Sequence, residues 1–411
     1  MMMTPPMTVS PEMIDKVVRD LPRMARLALG FAAKLTRGTL TVQLPDGRSL
    51  LFGGAEPGPH AIMIIKDLGF ARRVITSGDL GIAEAYLRGE WESPNLTQFL
   101  HLFCANSELT ETMLDGRPLM RLWQNCQHWL NRNTRRQARR NIEAHYDLGN
   151  AFYSAWLDAS MTYSSALFEG GINSLECAQR AKYRHIADEL ALSPGQSVLE
   201  IGCGWGGFAE YAAAERGCRV VGLTISREQF DYATQRMAAA GLSDKVSIRL
   251  QDYRDERGSY DRIVSIEMIE AVGESFWPTY FRQLRDRLAP GGLAGIQTIT
   301  IQDRFFDAYH RNLDFIRGYV FPGGMLPTPS ILKTLGDRTG LALVGEREFG
   351  LDYATTLVHW RDRFRAAWPT LVPLGFDERF RRLWEYYLAY CEAGFRARNI
   401  DVRQMIFARA G

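Results

Sequence analysis

The sequence predicts an α/β fold in which a doubly wound, Rossmann-like domain follows a smaller N-terminal α+β domain. From about residue 180 onward, helical and strand patterns alternate, and the strands are apolar and rich in β-branched residues, as in parallel sheets covered on both faces. With 411 residues, the chain is also too long for one ordinary domain. We therefore expect one domain over 1–130, a basic linker over 131–144 and a second domain over 145–411.

Composition narrows the class of protein. The chain is 46% hydrophobic and 23% charged, as in folded globular proteins, and its net charge of +2 gives no support for a nucleic-acid partner. The six cysteines form no C-x-x-C pair and the seven histidines show no metal-binding spacing. We therefore predict no metal site and no disulfide framework, and we expect a reducing, cytoplasmic location. No stretch reaches the roughly 18 apolar residues of a spanning helix, so contact with a membrane is expected only from its surface.

The N-terminal region predicts both helices and strands. Residues 11–37 carry apolar positions at helical spacing, and two short strand patterns flank the hairpin signal Asp46-Gly47. Another helical pattern, over 78–93, ends near Pro94. These elements define the smaller α+β domain.

The predicted linker is strongly basic. Its residues 131–140 contain five arginines and no acid, namely Arg132, Arg135, Arg136, Arg139 and Arg140. One interpretation is a solvated linker or helix face. The other is attraction to anionic lipid headgroups, to which each basic residue contributes about 1 kcal/mol.

The second domain predicts repeated strand and helix units. Its helical patterns are 175–190, 208–217, 227–241 and 276–292, and its strand patterns are 197–202, 219–225, 246–253, 260–269 and 293–301. A segment rich in aromatic residues, glycine and proline follows to about residue 330, and the C-terminal part is aromatic and basic. This alternation is typical of a parallel sheet that binds a ligand beyond the carboxyl ends of its strands.

Polar groups follow three consecutive strands of this domain. The first strand leads through Glu200 into a G-C-G-W-G-G turn, whose glycines (Gly202, Gly204, Gly206) allow a ligand to approach the backbone. The second ends in Thr224, where a NAD-binding protein needs an acid, with Gln229 one turn into the next helix. The third ends in Asp252 and Tyr253. Asp252 is suited to accept a hydrogen bond from the exocyclic amine of adenine, and Tyr253 is suited to lie against the face of its ring. Individually these are also ordinary cap, turn and packing residues, but together they favour a nucleoside-like cofactor.

The motif V-L-E-I-G-C-G-W-G-G resembles that of class I S-adenosylmethionine (SAM)-dependent methyltransferases, specifically the cyclopropane-fatty-acid synthase family. Further motifs similar to the family's cover most of the chain: 84–91, 145–150, 163–164, 223–229, 251–254, 268–273, 319–324, 352–353 and 393–396. The resemblance implies a SAM-dependent transfer of a methylene group to the cis double bond of an unsaturated phospholipid acyl chain, forming a cyclopropane. It also implies an N-terminal domain that docks on the inner face of the membrane, and a homodimer.

Residue by residue, the resemblance implies a SAM pocket and an anion site. The SAM pocket contains Tyr163, Ser164, Glu200, Gly202, Gly204, Gly206, Thr224, Gln229, Asp252 and Tyr253. In the family, a bound bicarbonate serves as the base. The resemblance implies that Glu270, Tyr353 and the backbone of Ile299 match three of its ligands. Where the family has Cys and His ligands, this chain has Ser165 and Gln297. The missing imidazole puts the strength of the base, and ring closure, in question.

Aromatic faces can stabilise the carbocation that methyl transfer to an alkene leaves. Candidates are Phe152, Tyr153, Trp156, Tyr163, Tyr309, Phe315, Tyr319 and Phe321, although packing explains such residues equally well. Cys391 matches a cysteine described as catalytic in relatives, yet no step requires a thiolate and a structural role is the alternative.

Three other functions remain open. A fatty acyl C-methyltransferase would use the same cofactor and leave a methyl-branched alkene or a methylene group. A non-catalytic lipid-binding protein would have kept the fold alone, and a NAD-dependent oxidoreductase is disfavoured by Thr224.

Overall fold

The computed structural model describes residues 5–109 and 148–411. The chain forms two compact units. The first unit comprises Met1–Gln127, Asp307–Val320 and Val372–Asn399, and the second comprises His128–Phe306, Phe321–Leu371 and Ile400–Gly411. Segments 307–320 and 372–399, which the sequence analysis assigned to the second domain, thus cluster with the first unit. The division into a docking and a catalytic domain stays a prediction, and the arginine-rich stretch lies outside the described residues.

The first unit contains a five-stranded sheet in the order β1-β3-β2-β4-β5. The strands are β1 (Met7–Thr8), β2 (Arg37–Gln43), β3 (Ser49–Gly53), β4 (Glu56–Ile65) and β5 (Trp91–Glu92). The predicted hairpin at Asp46-Gly47 is confirmed, because β2 and β3 pair antiparallel with Val42 opposite Leu50. Alternate residues of β2 are buried, so one face of the sheet contributes to the core.

Helices pack around this sheet in the first unit. They are α1 (Ile14–Val17), α2 (Arg23–Ala32), α3 (Phe70–Leu87), α4 (Leu96–Ala105) and, from the C-terminal segment, α13 (Glu378–Arg396). The helix predicted over 78–93 is the second half of α3, which bends at Gly78, where φ is 55°. It ends at Leu87, before β5.

The second unit contains a seven-stranded sheet in the order β11-β12-β10-β9-β6-β7-β8. The strands are β6 (Ser197–Ile201), β7 (Arg219–Thr224), β8 (Val246–Leu250), β9 (Tyr260–Ile266), β10 (Leu288–Ile301), β11 (Leu341–Glu348) and β12 (Ile400–Arg409). Strands β10, β9, β6, β7 and β8 are parallel, and β12 lies antiparallel between β10 and β11. The predicted Rossmann-like α/β sheet is therefore confirmed.

Most helices of the second unit connect the strands. They are α5 (Asn150–Ser154), α6 (Leu175–Glu189), α7 (Gly207–Glu215), α8 (Arg227–Ala239), α9 (Trp277–Arg287), α11 (Pro329–Thr339) and α12 (Gly350–Leu371), while α10 (Asp303–Arg311) spans the boundary of the two units. Successive strands extend from β6 toward β8 on one side and from β9 toward β10 on the other. The carboxyl ends of β6 and β9 therefore form the switch point at which open α/β sheets bind ligands.

Within the described ranges, no helix is both long and apolar enough to cross a membrane. The same ranges hold no cluster of three or more His, Cys, Asp or Glu side chains suited to a metal ion.

Candidate active site

The glycine turn after β6 has the geometry that requires glycine. Gly202, Gly204 and Gly206 have φ values of 81°, 51° and 84°, in the left-handed region that favours glycine. A Cβ on Gly202 would lie 2.7 Å from Cγ of Met268. Helix α7 begins directly after Gly206, so its free backbone N–H groups lie beside the turn. The turn therefore allows a ligand to approach the backbone closely and offers it hydrogen-bond donors.

Glu200 lies within β6, two residues before the turn, and is buried. Its Oε2 atom accepts no hydrogen bond from the described part of the chain. Burial raises the pKa of this carboxyl, and the charges of Lys182 and Arg236 oppose the shift. The backbone of Ala209 donates one hydrogen bond to this carboxyl, and a buried carboxyl oxygen left without a partner is unfavourable. It therefore suits a cationic ligand group, such as the amino group of the methionine part of SAM.

The predicted adenosine residues already have local partners. Thr224 donates from Oγ1 to Oε1 of Gln229 at 2.8 Å, and Ser226 caps α8. Asp252 accepts from the backbone N, Nε and Nη2 of Arg254 at 2.9, 2.8 and 2.6 Å. Tyr253 is mostly buried, and burial raises the pKa of its hydroxyl to about 12. These contacts orient the side chains, and each carboxylate oxygen can accept more than one hydrogen bond.

Lys182, which the sequence analysis missed, lies beside the predicted cofactor residues. It is fully buried on α6 and donates from Nζ to Oγ of Ser164 at 2.7 Å. Burial lowers the pKa of this amine to about 7, opposed by the negative charges of Glu267, Asp158 and Glu200. The pocket thus contains a buried amine among carboxyl groups. Its only signal in the sequence was a lysine on the apolar side of a helix.

Glu267, also missed, is the centre of the site. It follows β9 directly, and its Oε1 accepts from the backbone N of Ser165 and from Nε2 of Gln297, both at 2.8 Å. Its Oε2 accepts from the hydroxyl of Tyr353 at 2.7 Å. The structure therefore brings together Ser165, Gln297 and Tyr353, which the resemblance assigned to an anion site, around a carboxylate of the chain itself. Ser165 contributes its backbone, since its hydroxyl is directed to the carbonyl of Ala166.

Glu270 has different neighbours. Its Oε1 accepts from the backbone N of Ile299 at 2.5 Å and from Oγ1 of Thr298 at 2.9 Å. Its Oε2 has no hydrogen-bond partner among the described residues. Burial, and then the negative charge of Glu267, raise the pKa of Glu270 to about 8. Glu270 and the backbone of Ile299 are therefore bonded to each other.

A row of amides orients the Gln297 side chain. Its Oε1 accepts from Nε2 of Gln404 at 2.9 Å, and Oε1 of Gln404 lies 2.6 Å from Nδ1 of His185. With His185 as the donor, each amide oxygen accepts and each amide nitrogen donates. This order directs Nε2 of Gln297 to the carboxylate of Glu267.

Aromatic rings connect the predicted cofactor side of the site with Tyr353. The ring of Tyr163 lies 5.5, 5.7 and 5.2 Å from those of Tyr153, Trp156 and Trp360. Trp360 in turn lies 6.0 Å from Tyr353. Four of the predicted aromatic candidates, Phe152, Tyr153, Trp156 and Tyr163, thus form one cluster with Trp360, which the sequence analysis did not select. Tyr309, Phe315 and Tyr319 belong to the first unit.

Cys391 lies on α13 of the first unit. Burial, followed by the charge of Asp314, raises the pKa of its thiol far above the ordinary value. Since the thiolate is the reactive form, this environment favours the structural interpretation. The catalytic assignment of Cys391 stays a prediction without support from these contacts.

Comparison with known proteins agrees with this geometry. The family described as "Mycolic acid cyclopropane synthetase" matches residues 133–405. The chain is 40% identical to a tuberculostearic acid methyltransferase of Mycobacterium tuberculosis, over 96% of this chain and 95% of that protein. It is 38% identical to the cyclopropane-fatty-acyl-phospholipid synthase of Escherichia coli, over 89% and 92% of the two chains. A solved structure of a mycolic acid cyclopropane synthase complexed with SAH and CTAB superimposes with a TM-score of 0.63, at 30% identity, covering 66% of this chain and 98% of that chain.

The fold, the glycine turn and these matches define the class: the chain is a class I SAM-dependent methyltransferase. Within that class, it belongs to the mycolic acid cyclopropane synthetase family. The predicted family resemblance, enzyme class and cofactor are therefore confirmed. Which side chains hold SAM stays a prediction, supported by the glycine turn and by the unpartnered carboxylate oxygen of Glu200.

Proposed function

We propose that this enzyme transfers a one-carbon unit from SAM to the cis double bond of an unsaturated phospholipid acyl chain, forming a cyclopropane. The observation that carries the proposal is the placement of two carboxyl groups, the buried Glu200 and the half-buried Glu267, at the switch point between β6 and β9. Glu200 suits the cationic ammonium group of the cofactor, and Glu267 suits the removal of a proton from the substrate. The phospholipid synthase of Escherichia coli, 38% identical over 92% of its length, supports the substrate class.

The cofactor, when bound, supplies an electrophilic methyl group on a sulfonium. In this proposal the glycine turn (Gly202, Gly204, Gly206) lets the cofactor approach the backbone closely, and Glu200 binds its ammonium group. Thr224, Gln229, Asp252 and Tyr253 hold the adenosine part, and Tyr163 and Ser164 close the pocket. Lys182 fixes Ser164 through its 2.7 Å hydrogen bond.

An alkene is a weak nucleophile, so the chain must hold it against the methyl group and exclude water. Tyr163 is partly exposed and is the ring placed to contact the acyl chain, while the fully buried Tyr153, Trp156 and Trp360 support it from behind. Methyl transfer leaves a positive charge on the other alkene carbon. Aromatic faces stabilise a desolvated cation by about 2 kcal/mol. Loss of a proton from the new methyl group then closes the ring.

A second candidate is a fatty acyl C-methyltransferase. The position of the base decides the product, because loss of a proton from the acyl chain retains an alkene or leaves a methylene group. Gln297 stands where the family has a titratable imidazole, and the relative that is 40% identical is a tuberculostearic acid methyltransferase. Both observations favour this candidate.

Mass spectrometry of lipids separates the two products. Purified enzyme is incubated with methyl-labelled SAM and vesicles of monounsaturated phospholipid, and the products are then treated with ozone. A gain of CH2 in a chain that resists ozone supports cyclopropane formation. A gain of CH2 in a chain that ozone cleaves supports the C-methyltransferase. Absence of labelled lipid contradicts both.

We also propose that the first unit docks on the cytoplasmic face of an anionic membrane. Exposed Met24 and Leu27 share helix α2 with exposed Arg23 and Arg26. An apolar surface bordered by cations is typical of interfacial helices. The arginine-rich stretch 131–140 adds charge of the same sign. The resemblance also predicts a homodimer, which light scattering can test by measuring the molecular mass in solution.

A further inference from the structure

We propose that Glu267 is the general base of this enzyme, a carboxylate built into the chain at the place where the family resemblance predicts bound bicarbonate. The proposal rests on the proposed function for its substrate. It adds a catalytic residue and removes the requirement for a second cofactor.

The first argument is that the anion site is already filled. The donors available to an anion are the backbone N of Ser165, Nε2 of Gln297 and the hydroxyl of Tyr353, and all three donate to Glu267 at 2.7–2.8 Å. The remaining predicted donor, the backbone N of Ile299, is bonded to Glu270. Bicarbonate therefore does not fit these residues, because its oxygens would compete for the same donors.

The second argument is the backbone at Glu267. Its φ is 50°, in the left-handed region that is uncommon for residues other than glycine. Here a long, half-buried carboxyl side chain adopts that conformation directly after β9. Backbone strain of this kind clusters at functional sites, where the surrounding contacts maintain it. A purely structural residue at this position would be better served by glycine.

The third argument is electrostatic. Burial raises the pKa of Glu267, while the hydrogen bonds from Tyr353 and Gln297 and the charge of Lys182 limit the rise. Glu270, whose carboxyl has a pKa of about 8, is neutral at neutral pH. Three hydrogen bonds make Glu267 the better placed of the two to carry the negative charge, and a carboxylate with a raised pKa is a stronger base.

The chemistry balances with Glu267 as the proton acceptor. The alkene π pair forms a C–C bond to the methyl carbon, the C–S bond breaks, and its electron pair remains on sulfur. One alkene carbon becomes cationic. Oε2 of Glu267, which accepts one hydrogen bond where Oε1 accepts two, takes the proton. The released C–H pair closes the ring, or forms a C=C bond in the second candidate, and solvent later removes the proton.

The test compares wild type with two substitutions. Glu267→Gln retains size and removes basicity, and Glu267→Gly opens the site and suits the observed φ. Exposed Glu189→Gln in the same unit is the matched control. Methyl transfer to phospholipid is measured with and without added bicarbonate. Calorimetry measures SAM binding, and NMR of ¹³C-labelled bicarbonate measures bicarbonate binding.

We expect wild type to bind no bicarbonate and to turn over equally fast without it. Glu267→Gln is expected to lose activity by about 100-fold or more with SAM affinity retained. Glu267→Gly is expected to bind bicarbonate and to regain activity when it is added. Glu189→Gln should behave as wild type in every measurement.

Bicarbonate bound to wild type, or full activity of Glu267→Gln, would overturn the proposal and leave the proposed function standing. Absence of lipid product from wild type overturns the proposed function and, with it, the catalytic role of Glu267. The NMR measurement still decides, without any lipid substrate, whether Glu267 or bicarbonate occupies the site.

Discussion

Glu267 and Glu270 are three residues apart and have different electrostatic environments. Glu267 receives three hydrogen bonds and the attraction of Lys182. Glu270 receives two hydrogen bonds on one oxygen and the repulsion of Glu267. Like charges in one buried site cannot both form easily. These contacts therefore favour the negative charge on Glu267 over Glu270.

The neutral state of Glu270 predicts a pH dependence of stability. Its pKa is about 8 in the folded state, against an ordinary value of 4.5. Between these values the folded state retains a proton that the unfolded state has lost, so the free energy of unfolding falls as pH rises. Glu270→Gln keeps the side chain neutral. At pH about 8 we expect the variant to exceed wild type in stability by on the order of a few kcal/mol.

Urea unfolding at several pH values checks this prediction. The difference between Glu270→Gln and wild type should disappear below the unfolded pKa, where both side chains are neutral. A constant difference across the whole range would mean that Glu270 is ionised in the folded state.

At the scale of elements, the turn between β6 and α7 combines backbone conformation with close approach. Gly202 and Gly195 have similar φ values, 81° and 84°. A Cβ on Gly202 would collide with Met268, whereas one on Gly195 meets nothing within 4 Å. Alanine substitutions at the two glycines therefore separate the effect of backbone strain from the effect of a steric clash with Met268.

Gly202→Ala should weaken SAM binding by at least about tenfold, and Gly195→Ala should leave it unchanged. Both variants carry the left-handed penalty of about 1 kcal/mol in unfolding free energy, and only Gly202→Ala displaces Met268. Calorimetry with SAM and thermal unfolding measure the two effects. Equal loss of SAM affinity in both variants would show that strain alone is responsible.

Strand register explains how the network around Glu267 forms. Gln297 of β10 lies beside Ile266 of β9 and opposite Gln404 of β12. A side chain that follows β9 therefore meets the amide on the neighbouring strand, and that amide meets its cross-strand partner. A shift of one residue in β10 would turn Gln297 to the other face.

At the scale of the whole molecule, membrane docking can be tested apart from chemistry. Met24→Glu with Leu27→Glu places two negative charges on the exposed side of α2. We expect at least a tenfold loss of binding to anionic vesicles, on the order of 1–2 kcal/mol, with unchanged SAM affinity. Val344→Glu is the matched control, because Val344 is 60% exposed in the second unit. Equal vesicle binding by both variants in flotation assays would refute docking through α2.

Local patterns were sufficient for much of the fold and of the cofactor site. The alternation of strands and helices predicted the parallel sheet, and the spacing of Gly202, Gly204 and Gly206 predicted the turn. Both follow from periodicity and from conformations that only certain residues tolerate. Cys391, in contrast, matched a family position, but a matching residue does not reveal whether its thiol is buried.

The selection of Glu267 over Glu270 required contacts between distant parts of the chain. Ser165, Gln297 and Tyr353 come from a loop, a strand and a helix that are far apart in sequence, and only their packing directs three donors to one carboxylate. Lys182 became a site residue for the same reason. Side-chain periodicity specifies which residues share a face, whereas burial, hydrogen bonding and charge depend on what the folded chain places opposite them.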